Sequence, residues 1–154
     1  MKLDGREFSD VDHDITAAQN DYIIGHLRAA GALEALAGLN LKEDLSLDQV
    51  EKPAKDFVTR IYLTGRKSFI LAGLLTEVGK KWTRAEADRN AAKFDAITDL
   101  DEITAMGAII SNVVLVFFQF AGTSSRSFRT SSNPTDAGQG TKTADPVISV
   151  SSIQ

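Results

Sequence analysis

Residues 107–122, GAIISNVVLVFFQFAG, form the most apolar stretch of the chain and decide its fold. The uninterrupted apolar run is about 14 residues long, whereas a membrane-spanning helix needs roughly 20. The residues before it, Asp99, Asp101 and Glu102, are acidic and offer no basic anchor for a membrane surface. We therefore expect this stretch to belong to a water-soluble protein rather than to a membrane span.

If the stretch continues a helix that begins after Asp99, its apolar residues are spread over more than one side. One face of that helix holds, at helical spacing, Ile103, Met106, Ile110, Val113, Val114 and Phe117. Ile109, Leu115 and Val116 fall outside this face, so the helix has more apolar surface than one packing side uses. Two explanations remain open: the helix is the central one of a bundle, or another chain covers part of it. Because the stretch is rich in β-branched residues, a strand is a lesser alternative.

Helix boundaries are marked by capping residues. The capping-box pattern, a short polar side chain followed three residues later by Glu or Gln, occurs at Thr16–Gln19, Ser46–Gln49, Thr83–Glu86 and Asp99–Glu102. Glycines that suit a helix C-terminus follow the periodic segments at Gly38, Gly79 and Gly122. Together these signals predict helices over about 15–37, 53–63, 69–79, 84–97 and 99–121, with Trp82 in a groove between helices.

The predicted fold class is therefore all-α, a small bundle of about five helices with flanking segments. Residues 1–14 form an acidic, extended N-terminal arm, and residues 15–121 form the helical domain. Residues 122–154 form a tail in which 13 of 33 residues are Ser or Thr, a composition that buries too little apolar area to order itself. The end of this tail is strand-prone and could add to a sheet edge of a partner. The residues of that segment are Val147, Ile148, Val150 and Ile153.

Charge and cysteine content exclude several classes of function. The net charge is −4, which gives no general attraction to nucleic acid or to anionic lipid. The chain has no cysteine, which excludes disulfides, thiol nucleophiles and cysteine-bound metals. A basic patch surrounds Trp82 and consists of Arg66, Lys67, Lys80, Lys81 and Arg84. The patch is small, acidic residues flank it and one aromatic is no stacking ladder, so we expect no nucleic-acid partner.

Few residues could support catalysis. The chain has two histidines. Asp12-His13-Asp14 carries hard-metal ligands, but adjacent residues on an irregular segment rarely converge on one ion, and His26 sits near an apolar stripe that suits a core edge. An enzyme or metal protein would need one of these histidines to meet carboxylates in a cleft. We expect no enzymatic activity, no cofactor and no metal.

Two segments carry a resemblance to a known family. In residues 63–106, a leucine-rich helix ends in Glu77-x-Gly79, followed by Trp82-Thr83, then by Ala87, Asn90-Ala91-Ala92 and Phe94, and then by an acidic helix start. The second segment is DYIIGHLRAAGALE, residues 21–34. Together they resemble tail assembly chaperones of tailed phages, which are small helical morphogenesis proteins encoded before the tape measure.

This resemblance implies a non-enzymatic protein that binds apolar helical segments of a tape-measure-type protein during tail morphogenesis. The surplus apolar face would then serve as the binding groove, through Ile109, Leu115, Val116, Phe117, Phe118 and Phe120. The N-terminus has no apolar core of a secretory signal, so the expected location is the host cytoplasm. We expect protein partners, self-association and no membrane contact. The alternative is a structural virion protein, such as a head–tail connector or a tube or capsid accessory protein, whose C-terminal arm binds a neighbouring subunit.

Overall fold

The computed structural model describes residues 1–9, 14–37, 39 and 47–131, except for the side chains of 47 and 121–131. Within these residues the chain is a small all-α bundle with a two-stranded sheet, which confirms the predicted fold class. The elements are β1 (Lys2–Leu3), β2 (Arg6–Glu7), α1 (Ala17–Ala29), α2 (Ala32–Ala37), α3 (Leu47–Leu63), α4 (Lys67–Leu74), α5 (Arg84–Asp95) and α6 (Leu100–Ser131). The strand-prone segment formed by Val147, Ile148, Val150 and Ile153 lies outside the described residues.

The N-terminus is a β-hairpin packed on the core, where an extended arm was expected. Its two-residue turn, Asp4-Gly5, has φ angles of 51° and 68°. Positive φ at both positions is what a tight hairpin turn with the twist of its strands requires, and Asp-Gly favours it. Leu3 and Phe8 are buried. The hairpin is therefore part of the domain, and it also bonds to the chain after α4, where Val78 N donates to the Glu7 carbonyl at 2.9 Å.

The predicted first helix is two helices. Thr16 caps α1 as expected, with its hydroxyl accepting from Gln19 N and the Gln19 side chain accepting from Thr16 N. The helix ends at Ala29 because Gly31 adopts φ 92°, a conformation that interrupts a right-handed helix. Gly25 remains inside α1. The presence of a glycine therefore does not by itself end the helix. The positive φ angle of Gly31 ends it.

Helix α4 lies at the centre of the bundle, with α1, α5 and α6 packed around it. Its buried residues run from Ile70 to Leu74 without interruption. The helix ends at Leu74, earlier than expected, and the following residues extend alongside β2 through the Phe8–Glu77 bridge. In this pairing, backbone groups of the segment after α4 form hydrogen bonds with the N-terminal segment. A helix that continued to Gly79 would have needed the same groups for its i to i−4 hydrogen bonds.

Helix α3 begins at Leu47 and contains Pro53 in its interior, so the expected start at Pro53 is wrong. Helix α6 passes through Gly122 and ends at Ser131. Glycine in a helix costs only about 1 kcal/mol relative to alanine, which does not force an end. The two helices pack together: the Phe57 ring lies 6.1 Å from the rings of both Phe117 and Phe118.

Candidate partner-binding surfaces

The apolar side chains of α6 divide into a buried stripe and two exposed flanks. The buried stripe is Met106, Ile110, Val114 and Phe118, at a spacing of four residues. Phe118 is only 1% exposed, so its predicted place on a partner-binding face is wrong. Phe118 lies in the core because α3 approaches α6 on that side and presents Phe57 to it. Phe117 is half-buried against the same ring.

One flank of α6 forms a groove with α3. The groove has a volume of about 490 Å³, and its apolar lining comes from Ala54, Val58 and Leu115. Leu115 is 39% exposed. The remaining lining residues are polar or charged: Glu51, Lys55, Thr59 and Ser111. An apolar floor with a polar rim is the arrangement that accepts an amphipathic helix or an apolar side chain from a partner.

The rim of this groove is charged but internally paired. Lys55 Nζ lies 2.5 Å from Glu51 Oε1 on the next turn of α3. This hydrogen bond lowers the pKa of the Glu51 carboxyl below its ordinary value. Both side chains are well exposed, so the pair adds little stability but leaves the rim with no net charge. The groove therefore selects for apolar character in a partner more than for charge.

The other flank of α6 carries a second apolar surface, which we call the α6 stripe: Ile109, Val113, Val116 and Phe120. Ile109 and Val113 are half-buried, whereas Val116 is 48% and Phe120 67% exposed. Successive residues turn by about 100° around a helix, so this stripe and Leu115 lie on opposite flanks of the buried stripe. The single binding face predicted from the sequence is thus two surfaces, one shared with α3 and one on α6 alone.

Among the described residues, one helix is long and apolar enough to cross a membrane by length and composition, Leu100–Phe120 with 21 residues. The sequence-based expectation that this stretch is too short to span a membrane was based only on its uninterrupted apolar run. The 21-residue segment also includes Leu100, Asp101 and Glu102 and the mostly small or apolar residues from 103 to 108. Only 22% of its most apolar 18-residue window is buried, so α6 exposes more apolar surface than a helix enclosed in a core would.

The cations of the basic patch meet aromatic rings and acidic groups. Arg66 lies over the ring of Phe69 and Arg84 over the ring of Tyr22. Lys67 reaches the Tyr62 ring on α3, and the side chain of Lys80 is 2.8 Å from a Glu77 carboxylate oxygen. That hydrogen bond is the main cause of a lowered pKa at Glu77. Lys81 is exposed. Within the patch, Lys80 is thus paired with an acidic side chain.

An aromatic row was missed by sequence reasoning. Four rings from α1, α4 and the turn before α5 follow one another: Trp82, Tyr22, His26 and Phe69. Their successive centroids are 5.7, 4.6 and 4.7 Å apart. The Arg84 guanidinium lies 5.7 Å from the Tyr22 centroid and that of Arg66 lies 5.8 Å from the Phe69 centroid. Only the spacing of Tyr22 and His26, four residues apart on α1, signals any part of this row in the sequence.

Polar contacts fix this row in place. Trp82 Nε1 donates to the Ala72 carbonyl at 3.0 Å, so Trp82 does fill a gap between helices as expected. The Tyr22 hydroxyl donates to Asp88 at 2.7 Å. Burial and this bond to an anionic carboxylate raise the pKa of Tyr22 well above its ordinary value. The pKa of His26 is lowered, first by burial and then by the positive charge of Arg66.

Three residues of segment 63–106, Glu77, Asn90 and Phe94, contact the N-terminal segment that contains the hairpin. Arg6 of β2 donates to the Asn90 side chain at 2.9 Å and lies 3.4 Å from a Glu77 carboxylate oxygen. Asn90 is buried on α5, where Phe94 also meets the Phe8 ring with centroids 5.3 Å apart. Some of the residues that carry the resemblance to tail assembly chaperones are therefore the residues that hold the hairpin on α5.

No group of three or more potential metal ligands occurs in the part of the chain that the structure describes. His13 and Asp12 lie outside that part, so the Asp12-His13-Asp14 segment has no structural description. His26 meets Phe69 and Tyr22 rather than a cluster of carboxylates.

Comparison of the chain with protein-family models, with curated proteins and with solved structures gives no match.

Proposed function

We propose that the protein is a non-enzymatic assembly chaperone of a tailed phage, which binds apolar helical segments of a tape-measure-type protein during tail morphogenesis. The observation that carries the proposal is the apolar surface of α6, of whose most apolar window only 22% is buried. Residues 21–34 and 63–106 resemble tail assembly chaperones, and this resemblance is the reason for proposing a role in a phage. The protein acts in the host cytoplasm, through protein contacts and without a cofactor or metal.

The α3–α6 groove is the binding site in this proposal. It runs between two helices, its floor is formed by Ala54, Val58 and Leu115, and its rim has no net charge. Apolar residues repeated at helical spacing on a partner would fill such a groove one turn at a time. Binding there shields the apolar face of the partner until other proteins replace the chaperone.

Co-expression with a tape-measure-type protein tests the proposal. We expect the wild-type chain to increase the soluble fraction of that protein and Leu115→Lys to lose most of this effect, because the lysine puts a charge on the groove floor. Leu63→Lys is the matched control, since Leu63 is 82% exposed at the end of α3 and is not a lining residue of the groove. Equal solubilisation by both variants, or none by the wild type, would contradict the proposed groove.

The alternative function is a structural virion protein with a C-terminal arm, and the strand-prone segment at 147–153 favours it. Mass spectrometry of purified particles separates the two functions. A chaperone is absent from finished particles or present in traces. A stoichiometric amount, together with assembly that fails when residues 134–154 are deleted, would replace the chaperone proposal with the alternative.

A further inference from the structure

The α6 stripe has the spacing of a helix–helix contact. Ile109, Val113, Val116 and Phe120 follow one another at intervals of four, three and four residues. This is the spacing at which two helices pack side by side with interlocking side chains. The stripe lies on the flank of α6 away from the α3–α6 groove, so an occupant of the stripe leaves that groove open.

The same stripe is complementary to itself when two helices run in opposite directions. If Val113 of one copy faces Val116 of the second copy, then Ile109 faces Phe120 of the second copy by the same register. Each of the four apolar residues of the stripe then faces an apolar residue in the stripe of the other copy. Asn112 and Gln119, which lie on one side of the stripe, come close to each other across the pair, where two amide side chains can exchange hydrogen bonds.

The charges of α6 favour this direction over the parallel one. Asp99, Asp101 and Glu102 lie at its start, no charged residue occurs from 103 to 125, and the sequence places Arg126 and Arg129 in its last turns. In the antiparallel register, residues 99–103 of one copy lie opposite residues 126–130 of the other. The helix dipoles then oppose, and the acidic starts of the two α6 helices lie far apart, whereas a parallel pair would bring these like charges together.

We propose that two copies of this chain associate through antiparallel α6 helices, along the stripe formed by Ile109, Val113, Val116 and Phe120. This pairing does not depend on which partner occupies the α3–α6 groove. The dimer would hold two such grooves, one on each copy.

Sedimentation equilibrium of the full chain tests self-association. We expect a reversible dimer in the wild type and a dissociation constant at least about tenfold higher in Val116→Glu, because the change places a charge in the contact. Val78→Glu is the matched control: Val78 is also exposed, at 58%, but lies in the turn between α4 and α5. A wild-type chain that remains monomeric at all concentrations, or equal weakening by both variants, would overturn the proposal.

Cross-linking tests the direction and also covers the case in which Val116→Glu does not fold. The chain has no cysteine, so Ile109→Cys and Phe120→Cys each introduce a single thiol. Along one helix the two positions are about 16 Å apart, beyond the reach of a disulfide. Antiparallel pairing predicts that oxidation links the two variants when mixed and links neither variant to itself. Self-linked Ile109→Cys would show parallel pairing and overturn the proposed arrangement.

Discussion

The imidazole of His26 lies almost parallel to the ring of Phe69, with centroids 4.7 Å apart and an interplanar angle of 16°. His26 also meets Tyr22, with ring centroids 4.6 Å apart and an interplanar angle of 62°. The guanidinium groups of Arg66 and Arg84 lower the pKa of His26 further, and Asp88 opposes them in part. The packing therefore favours the neutral imidazole over the imidazolium.

The lowered pKa of His26 makes the free energy of unfolding depend on pH. The pKa of His26 in the folded chain is below its ordinary value of 6.5, so the unfolded chain binds more protons as the pH falls below 6.5. We expect the free energy of unfolding to decrease from pH 7 toward the lower folded-state pKa. Thermal melts should show that His26→Gln removes part of this decrease. An NMR titration of His26 with a midpoint at or above 6.5 would contradict the account.

A close approach of α1 and α4 makes Gly73 sensitive to substitution. A Cβ at this position would lie 2.6 Å from Cγ1 of Ile23 and 3.0 Å from Cδ1 of Tyr22, both buried side chains. Gly73→Ala should therefore lower the free energy of unfolding by about 1–3 kcal/mol. Denaturant titration measures this change.

Gly25→Ala is the control for Gly73→Ala. Gly25 is also inside a helix, but a Cβ there would have no atom within 4 Å. Alanine should then stabilise the protein by up to about 1 kcal/mol through its better helix propensity. If the two variants lose stability equally, the packing of α1 on α4 is different from the one described.

Local signals in the sequence predicted the helices. Most of the structural features that the sequence did not predict depend on contacts between residues that are far apart in the chain. Thr16 and Asp99 marked helix starts because a cap needs only neighbouring residues. Glu102 does not complete the box at Asp99, since its carboxylate accepts from Asp4 N of the hairpin instead. Asp4-Gly5 did carry a hairpin signal in the sequence, but it was interpreted as part of an acidic arm.

The division of the α6 surface could not be predicted from periodicity. Phe118 and Phe120 are residues of the same type two positions apart, yet one is 1% and the other 67% exposed. Which side of a uniformly apolar helix becomes core depends on where its neighbour lies, and here Phe57 of α3 decides it. The aromatic row has the same origin, because Trp82 and Phe69 reach Tyr22 and His26 only through the packing of α4 and α5 on α1.

We predict that the purified chain does not insert into lipid bilayers, although α6 meets the length and composition test for a span. Insertion would require α6 to leave α3 and α4, which would expose the buried residue Phe57. It would also carry Asp101 and Glu102 into the interface without any basic partner nearby. Flotation with vesicles should leave the chain in the aqueous fraction at both neutral and anionic lipid compositions. Salt-resistant co-flotation would show that lipid, rather than protein, covers the helix.

The central claim is that the α3–α6 groove binds an apolar helix of another polypeptide. The most direct measurement is an amide NMR titration of the full chain with a peptide that forms an amphipathic apolar helix, taken from the tape-measure-type protein. We expect shift changes concentrated in residues 51–59 of α3 and 104–115 of α6, which line or adjoin the groove. These changes should be lost in Leu115→Lys but not in Leu63→Lys. Unchanged spectra, or changes centred on Trp82 and Tyr22 with none in the groove, would contradict it.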